Sequence, residues 1–245
     1  MLIIAHRGAS GEFPENSLLA FEKAIEQKAD SIELDIQYHH SGHFILMHDP
    51  YLETTTNGIG HFDQQSLSSL RQLSLGQNQT LATLEEALAL IAGRVNVNIE
   101  IKFPSTKQSV MSAVIKTLHQ AMAYAVKCNG FTWQQFTVSS FNHHLLRAIK
   151  QQHPLIILGT LIASCPIDYA MCATSLQATS INPSIDCINT ELVTDAHQRG
   201  LKVLVYTVDR KEDILYCHAL GVDGLFTNYP ALTRATLEKQ EEFNH

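Results

Sequence analysis

The amino-acid sequence predicts an α/β fold, a (β/α)8 barrel, from three observations. Short apolar runs alternate with segments of helical periodicity until eight strands and their helices are accounted for. Polar and ionisable side chains collect where the early strands end, which is the rim at which such barrels carry chemistry. The length, 245 residues, suits one barrel, and the seven prolines and twelve glycines are too scattered to mark a linker. The whole chain, 1–245, is therefore expected to form a single domain, with a small insertion at about 50–80.

Residues 2–5 (Leu-Ile-Ile-Ala) read as a buried strand that ends at His6-Arg7-Gly8. Asn16 or Ser17 caps a helix whose apolar positions Leu18, Phe21 and Ile25 recur at helical spacing up to Lys28. The second strand, 30–38, holds Glu33 and Asp35. After Ser41-Gly42 the extended run 43–48 follows too soon for a crossover helix, so it returns as a hairpin arm and brings His48 beside Asp35. Residues 49–79 are polar, with one short helical pattern at 67–73, and read as an excursion that helps form a pocket. Thr83 and Glu86 make a capping box for a helix with Leu84, Ala87, Leu88 and Ile91 on its apolar face.

Strand 95–103 alternates strictly. Val95, Val97, Ile99, Ile101 and Phe103 share one face, and Asn96, Asn98, Glu100 and Lys102 share the other. A helix then runs to about residue 127, and strands are expected at 136–139, 155–158, 180–182, 203–208 and 224–227. The helices between them start near Asn142, Ile167, Glu191 and Lys211, and a last one starts at Ala231.

Seventeen basic against 24 acidic residues give a formal net charge of -7, which disfavours nucleic acid or an anionic membrane as the main partner. The first seven residues are too short and too soon charged for a signal peptide, and no stretch approaches a membrane span. The five cysteines are an odd number without CxxC spacing, so reduced thiols in a cytoplasmic protein are expected rather than a disulfide framework or a zinc site.

Glu33 and Asp35 lie two apart on a strand, so both point the same way. Buried carboxylates so close need a cation, a shared proton or a basic partner. Glu100 supplies a third acid at the same rim, and an oxygen-rich set without thiolate suits Mg²⁺, Ca²⁺ or Mn²⁺. Arg7 and Lys102 suit a phosphate held beside that cation. His6 and His48 can divide general-base and general-acid work, whereas His39, His40, His43, His143 and His144 are assigned to the surface. The plain alternative makes 98–102 an edge strand with a solvated Glu–Lys pair and Glu33 a satisfied buried acid. It leaves the paired acids in 31–36 unexplained.

His6-Arg7-Gly8, Pro14-Glu15-Asn16-Ser17, Glu33-Leu34-Asp35, His48-Asp49, Asn98-Ile-Glu100-Ile-Lys102, Ser140-Phe141 and Gly221-Val-Asp-Gly224, in that order, resemble the glycerophosphodiester phosphodiesterases over nearly the full chain. The resemblance implies a (β/α)8 barrel of the phosphatidylinositol-phospholipase-C-like type, hydrolysing a small-molecule glycerophosphodiester to glycerol 3-phosphate and an alcohol. It implies one divalent cation on Glu33, Asp35 and Glu100, and an acid–base pair in His6 and His48. Arg7 and Lys102 then fall on the phosphate, with Glu15 and Tyr206 also binding substrate. Three positions depart from the family's habit: Tyr206-Thr-Val-Asp209 where Trp-Thr-Val-Asn is frequent, Ala82 in place of a proline, and Thr54 near a frequent arginine. Two alternatives stay open, a lysophospholipase D on a similar barrel and a barrel that binds glycerophosphates without turnover. No stable membrane association is expected, since no amphipathic membrane helix is present to supply it.

Overall fold

The computed structural model describes residues 1–103 and 108–243. The elements run β1 (Leu2–His6), α1 (Leu18–Glu26), β2 (Ser31–Tyr38), β3 (Phe44–Leu46), α2 (Leu67–Leu70), β4 (Ser74–Gly76), β5 (Gln79–Thr80), α3 (Leu84–Ile91) and β6 (Asn96–Lys102). They continue with α4 (Gln108–Cys128), β7 (Phe136–Ser140), α5 (His143–Gln152), β8 (Ile157–Ile162), α6 (Met171–Ser175), β9 (Ser180–Pro183), α7 (Thr190–Gln198), β10 (Lys202–Val205), α8 (Lys211–Leu220), β11 (Gly224–Thr227) and α9 (Pro230–Phe243).

Strands β1, β2, β6, β7, β8, β9, β10 and β11 pair in parallel around a ring that β1 closes by pairing with both β11 and β2. This is the expected (β/α)8 barrel. The extra strand β3 joins β2 antiparallel, with Ile36 opposite Leu46 and Tyr38 opposite Phe44, so the hairpin turns where Ser41-Gly42 places it.

Alternation along each strand sorts the two faces. Ile32, Leu34 and Ile36 of β2 and Val97, Ile99 and Ile101 of β6 point outward and join Phe21, Leu84, Leu88 and Leu118 in one continuous core under the helices. Phe21 is fully buried there, which stabilises the fold by roughly 1.5–3 kcal/mol. The inward face carries Glu33, Asp35, Asn98 and Glu100, all buried, and a small apolar plug of Ile4, Leu204 and Phe226. The insertion has its own core, in which Leu52, Phe62 and Leu70 pack on Ile45 and Met47 of the hairpin arm.

Several boundaries move. The strand expected at 155–158 begins at Ile157, because His153-Pro154 forms a turn (Ile156 N–H to His153 O, 3.1 Å) that leaves Leu155 94% exposed. The helix expected at 67–73 is a single turn, and the one expected from Ile167 is confined to Met171–Ser175. Between the two candidate caps, Ser17 accepts from Ala20 N–H and caps α1, which frees Asn16 for another role. The capping box of Thr83 and Glu86 is present. No described helix is long and apolar enough to cross a membrane.

Candidate active site

Strand register brings the ionisable groups together. His6 sits beside Glu33 across β1 and β2, and Asp35 sits beside Glu100 across β2 and β6. These side chains end at the C-terminal rim, where a cavity of about 180 Å³ is lined by His6, Arg7, Glu33, His48, Glu100, Lys102 and Tyr206, all expected there. Asp35 lies fully buried beneath it, between Arg7 Nε and Lys102 Nζ, each 3.0 Å from one of its oxygens.

Carboxylate oxygens of Glu33, Asp35 and Glu100 lie within 4.8 Å of one another. Glu33 Oε2 accepts from the Arg7 N–H at 2.8 Å, while its Oε1 is buried without a hydrogen-bond partner among the described residues. Lys102 Nζ bridges Asp35 and Glu100. A buried orphan oxygen within a set of hard donors fits a divalent cation of the Mg²⁺ or Ca²⁺ kind. A second group, His39, His40 and Asp63, also comes close enough to suggest a metal. It fits poorly, because His39 already spends Nδ1 on Ser41 Oγ (2.7 Å) and Nε2 on the Gln65 carbonyl (3.0 Å). Those bonds also correct its assignment to the surface: His39 is fully buried as a strut between hairpin and insertion. His40 and His43 are exposed as expected.

Electrostatics follow from crowding. Burial, then Asp35 and Glu100, pushes the Glu33 carboxyl well above the ordinary range. Burial and then Asp35 push Glu100 up to about 7, against the pull of Lys102. Burial also opposes ionisation of Asp35, but Lys102 and Arg7 outweigh it and hold that group below its ordinary value. Of three acids, Asp35 is the one the two cations keep charged. Burial, reinforced by Arg7, lowers His6 to about 4, and burial with Lys102 lowers His48. Both imidazoles are therefore neutral at neutral pH.

The histidines are oriented as well as neutral. His6 Nδ1 meets Asn228 Oδ1 at 2.8 Å and His48 Nδ1 meets Asp49 Oδ1 at 3.1 Å, so in each ring Nδ1 donates and Nε2 keeps its lone pair. Gln37 Nε2 donates to the His48 carbonyl at 2.9 Å and fixes the end of the hairpin arm.

Glu15 is placed differently from expectation. It does not line the cavity and instead grips Arg7 Nη1 with both carboxylate oxygens, at 3.0 and 3.1 Å. Tyr206 does line it, with its hydroxyl donating to the Ile162 carbonyl at 2.9 Å and its ring edge-on to Phe141.

Three contributors escape sequence reasoning. Asn16 takes φ +54 and clamps Asp35, accepting from its N–H and donating to Oδ2, both at 3.0 Å. Its neighbour Ser17 is an equally good cap, so the sequence holds a signal for this second role only in having two cap residues where one suffices. Asn228 and Asp209, 19 positions apart, meet only because β11 follows β10 around the ring. Nothing local marks that pair.

Comparison with known proteins fits this geometry. The family model described as the glycerophosphoryl diester phosphodiesterase family matches residues 6–232. A glycerophosphodiester phosphodiesterase of Caldanaerobacter subterraneus is 34% identical over 94% of each chain, and one of Bacillus subtilis is 32% identical over 95% of this chain and 85% of its own. Among solved structures, an Oleispira antarctica phosphodiesterase in complex with the product sn-glycerol-3-phosphate superposes with TM-score 0.86, at 27% identity and 97% coverage of both chains. A glycerophosphodiester phosphodiesterase of Parabacteroides distasonis, at 22% identity, TM-score 0.82 and 98% coverage of both chains, shares the fold. With the match starting at His6 on the first strand and running through the last strand into the helix behind it, the chain belongs to the glycerophosphoryl diester phosphodiesterase family.

Proposed function

We propose that His6 and His48 exchange the protons in a hydrolysis that turns a glycerophosphodiester into glycerol 3-phosphate and an alcohol, at a divalent cation held by Glu33, Asp35 and Glu100. The observation that carries this reading is the convergence of those acids with Arg7, Lys102 and both imidazoles on one cavity. With a divalent cation bound, the three acids would be ionised, and the cation with Arg7 and Lys102 would set positive charge around the place a phosphodiester monoanion would take.

In this reading Arg7 and Lys102 hold the non-bridging phosphate oxygens and absorb the charge that grows on them. A divalent cation, Mg²⁺, Ca²⁺ or Mn²⁺, held by Glu33, Asp35 and Glu100 would supply Lewis-acid polarisation of the phosphate. His6 Nε2 takes a proton from the attacking hydroxyl. His48, whose affinity for a proton rises once an anionic phosphate sits beside it, returns one to the departing alkoxide. Tyr206 and Phe141 give the glycerol an apolar wall. Glu15 supports binding through Arg7, which it keeps aimed and charged. Residues 1–245 would then act as one catalytic domain. The reading sets it in the cytoplasm, where its free thiols stay reduced.

Release of glycerol 3-phosphate from a panel of diesters, each with Mg²⁺, Ca²⁺ and Mn²⁺, tests this. Hydrolysis should vanish with EDTA and with His6→Ala. Turnover that persists through either treatment overturns the mechanism. Trapping a cyclic glycerophosphate by phosphorus NMR would identify the glycerol 2-hydroxyl, rather than water, as the attacking group.

A further inference from the structure

A groove of about 650 Å³ opens off the catalytic cavity. The two share His48, Glu100, Lys102 and Phe141, whereas His6 and Arg7 line only the smaller one. The groove therefore leaves the site on the His48 side. Part of its wall comes from the insertion, through Tyr51, His61, Phe62 and Asp63.

We propose that this groove receives the departing alcohol and selects one that carries a positive charge, an N-methylated ammonium above all. The inference rests on the phosphodiester hydrolysis proposed above and adds its preferred substrate class. Three observations support it. First, the walls are rich in aromatic rings: the Phe141 ring already has Lys102 Nζ 5.9 Å from its centroid, but Tyr51, which lines the groove and not the cavity, is 55% exposed, and aromatic faces attract ammonium groups that have no N–H to donate. Second, charge runs the right way. Lys102 is the one Lys or Arg among the described lining residues, and Asp35 and Glu100 already pair with it at the cavity end. Asp63, away from that end, accepts from the His40 N–H and ring at 3.0 and 2.9 Å, and these bonds outweigh its burial and keep its carboxyl below the ordinary range.

Third, the side-chain amides are committed to the fold. Gln37 Nε2 is spent on the His48 carbonyl, and Asn142 donates to the Phe103 carbonyl while its Oδ1 caps α5. Hydroxyl-rich alcohols would give up water here for few partners. In the step itself the phosphorus–oxygen bond to the alcohol breaks as the one to the attacking oxygen forms. The proton lost to His6 is balanced by the one His48 gives to the alkoxide, and the alcohol leaves along the groove.

The test compares kcat/KM of the full chain, with its cation, for glycerophosphocholine and for the 3,3-dimethylbutyl ester, which has the same shape without the charge. Glycerophosphoglycerol serves as the polyhydroxy case. The choline ester should exceed its neutral isostere by about tenfold. Tyr51→Ala and Asp63→Asn should each pull that ratio towards one. Ratios taken within each variant do not depend on how much of it folds. Equal turnover of choline ester and isostere, or a preference untouched by both substitutions, overturns the groove assignment while leaving the hydrolysis intact. Loss of turnover for every diester would overturn both.

Discussion

Asn228 holds His6 in one tautomer because Asp209 holds Asn228 in one orientation. Asp209 accepts from Asn228 Nδ2 at 2.6 Å, from Asn228 N–H at 2.7 Å and from the Thr227 hydroxyl at 3.1 Å. A carboxylate only accepts, so the amide must turn Nδ2 towards Asp209 and present Oδ1 to His6 Nδ1, 2.8 Å away. The proton sits on Nδ1 and the lone pair on Nε2.

Removing this support should cost turnover more than binding. Asn228→Ala is expected to lower kcat by about 10- to 100-fold with KM little changed. Asp209→Asn, which restores the residue frequent in the family, should cost less, since an amide there can still accept from Asn228. Nitrogen-15 shifts of the His6 ring would report the tautomer directly. A ring still protonated at Nδ1 in Asn228→Ala would remove the explanation.

The His-Arg-Gly motif also has a structural member. Gly8 has φ +82, and a Cβ there would meet the backbone carbon of Ala20 at 2.7 Å. Gly8→Ala should therefore destabilise the protein by about 2–4 kcal/mol, from the left-handed backbone and the overlap together. Guanidinium unfolding measures it. Loss of activity without loss of stability would show instead that the position serves the substrate.

Alternation makes most of the site legible in the sequence. A period of two puts Glu33 with Asp35 and Glu100 with Lys102, and the barrel rule puts both pairs at one rim. The hairpin brings His48 to the rim, one residue off the expected pairing: Ile36 lies opposite Leu46, so it is Met47 whose N–H bonds to the Asp35 carbonyl, at 3.2 Å. What stays hidden depends on closure around the ring, as with Asn228 and Asp209, or on a residue with two plausible jobs, as with Asn16. The surface assignment of His39 fails for a related reason. Its burial comes from the insertion folding back over the hairpin, and nothing near it in sequence announces the Gln65 carbonyl that takes its Nε2.

Function and stability should pull apart at Glu33. Its carboxyl is buried beside two others and its Oε1 has no hydrogen-bond partner among the described residues, so Glu33→Gln removes the cost of burying and crowding an acid in the cation-free protein while keeping shape. The variant should unfold at a higher temperature without added metal, by an amount worth about 1–2 kcal/mol, and should bind Ca²⁺ or Mg²⁺ far more weakly. Calorimetry with and without the cation checks both. A variant less stable than the parent in EDTA would mean that Glu33 has a structural partner beyond Arg7.

Cation affinity should depend on pH through Glu100. Burial and Asp35 raise this group from about 4.5 to about 7. Between those values the folded, cation-free protein binds the extra proton and the unfolded chain does not. The contribution of Glu100 is thus fully present below pH 4.5 and is lost as pH rises through 7. A cation needs the ionised form, so below about pH 7 it must displace that proton, and its affinity should fall by about tenfold per pH unit. Titration calorimetry in two buffers of different ionisation enthalpy should register more proton release at about pH 6 than at about pH 8, and Glu100→Gln should reduce the difference. His6 acts oppositely on stability. Burial and Arg7 lower it to about 4, so stability tied to it falls as pH drops from 6.5 towards 4. In the cation-free protein the two effects oppose each other from about pH 4.5 to 6.5; Glu33 adds to the Glu100 slope and His48 to that of His6, and Glu100→Gln should tilt the profile towards the histidine slope. A parent and variant with parallel stability profiles across that range would show that Glu100 titrates at its ordinary value, and the crowding of the three acids would then have to be relieved elsewhere.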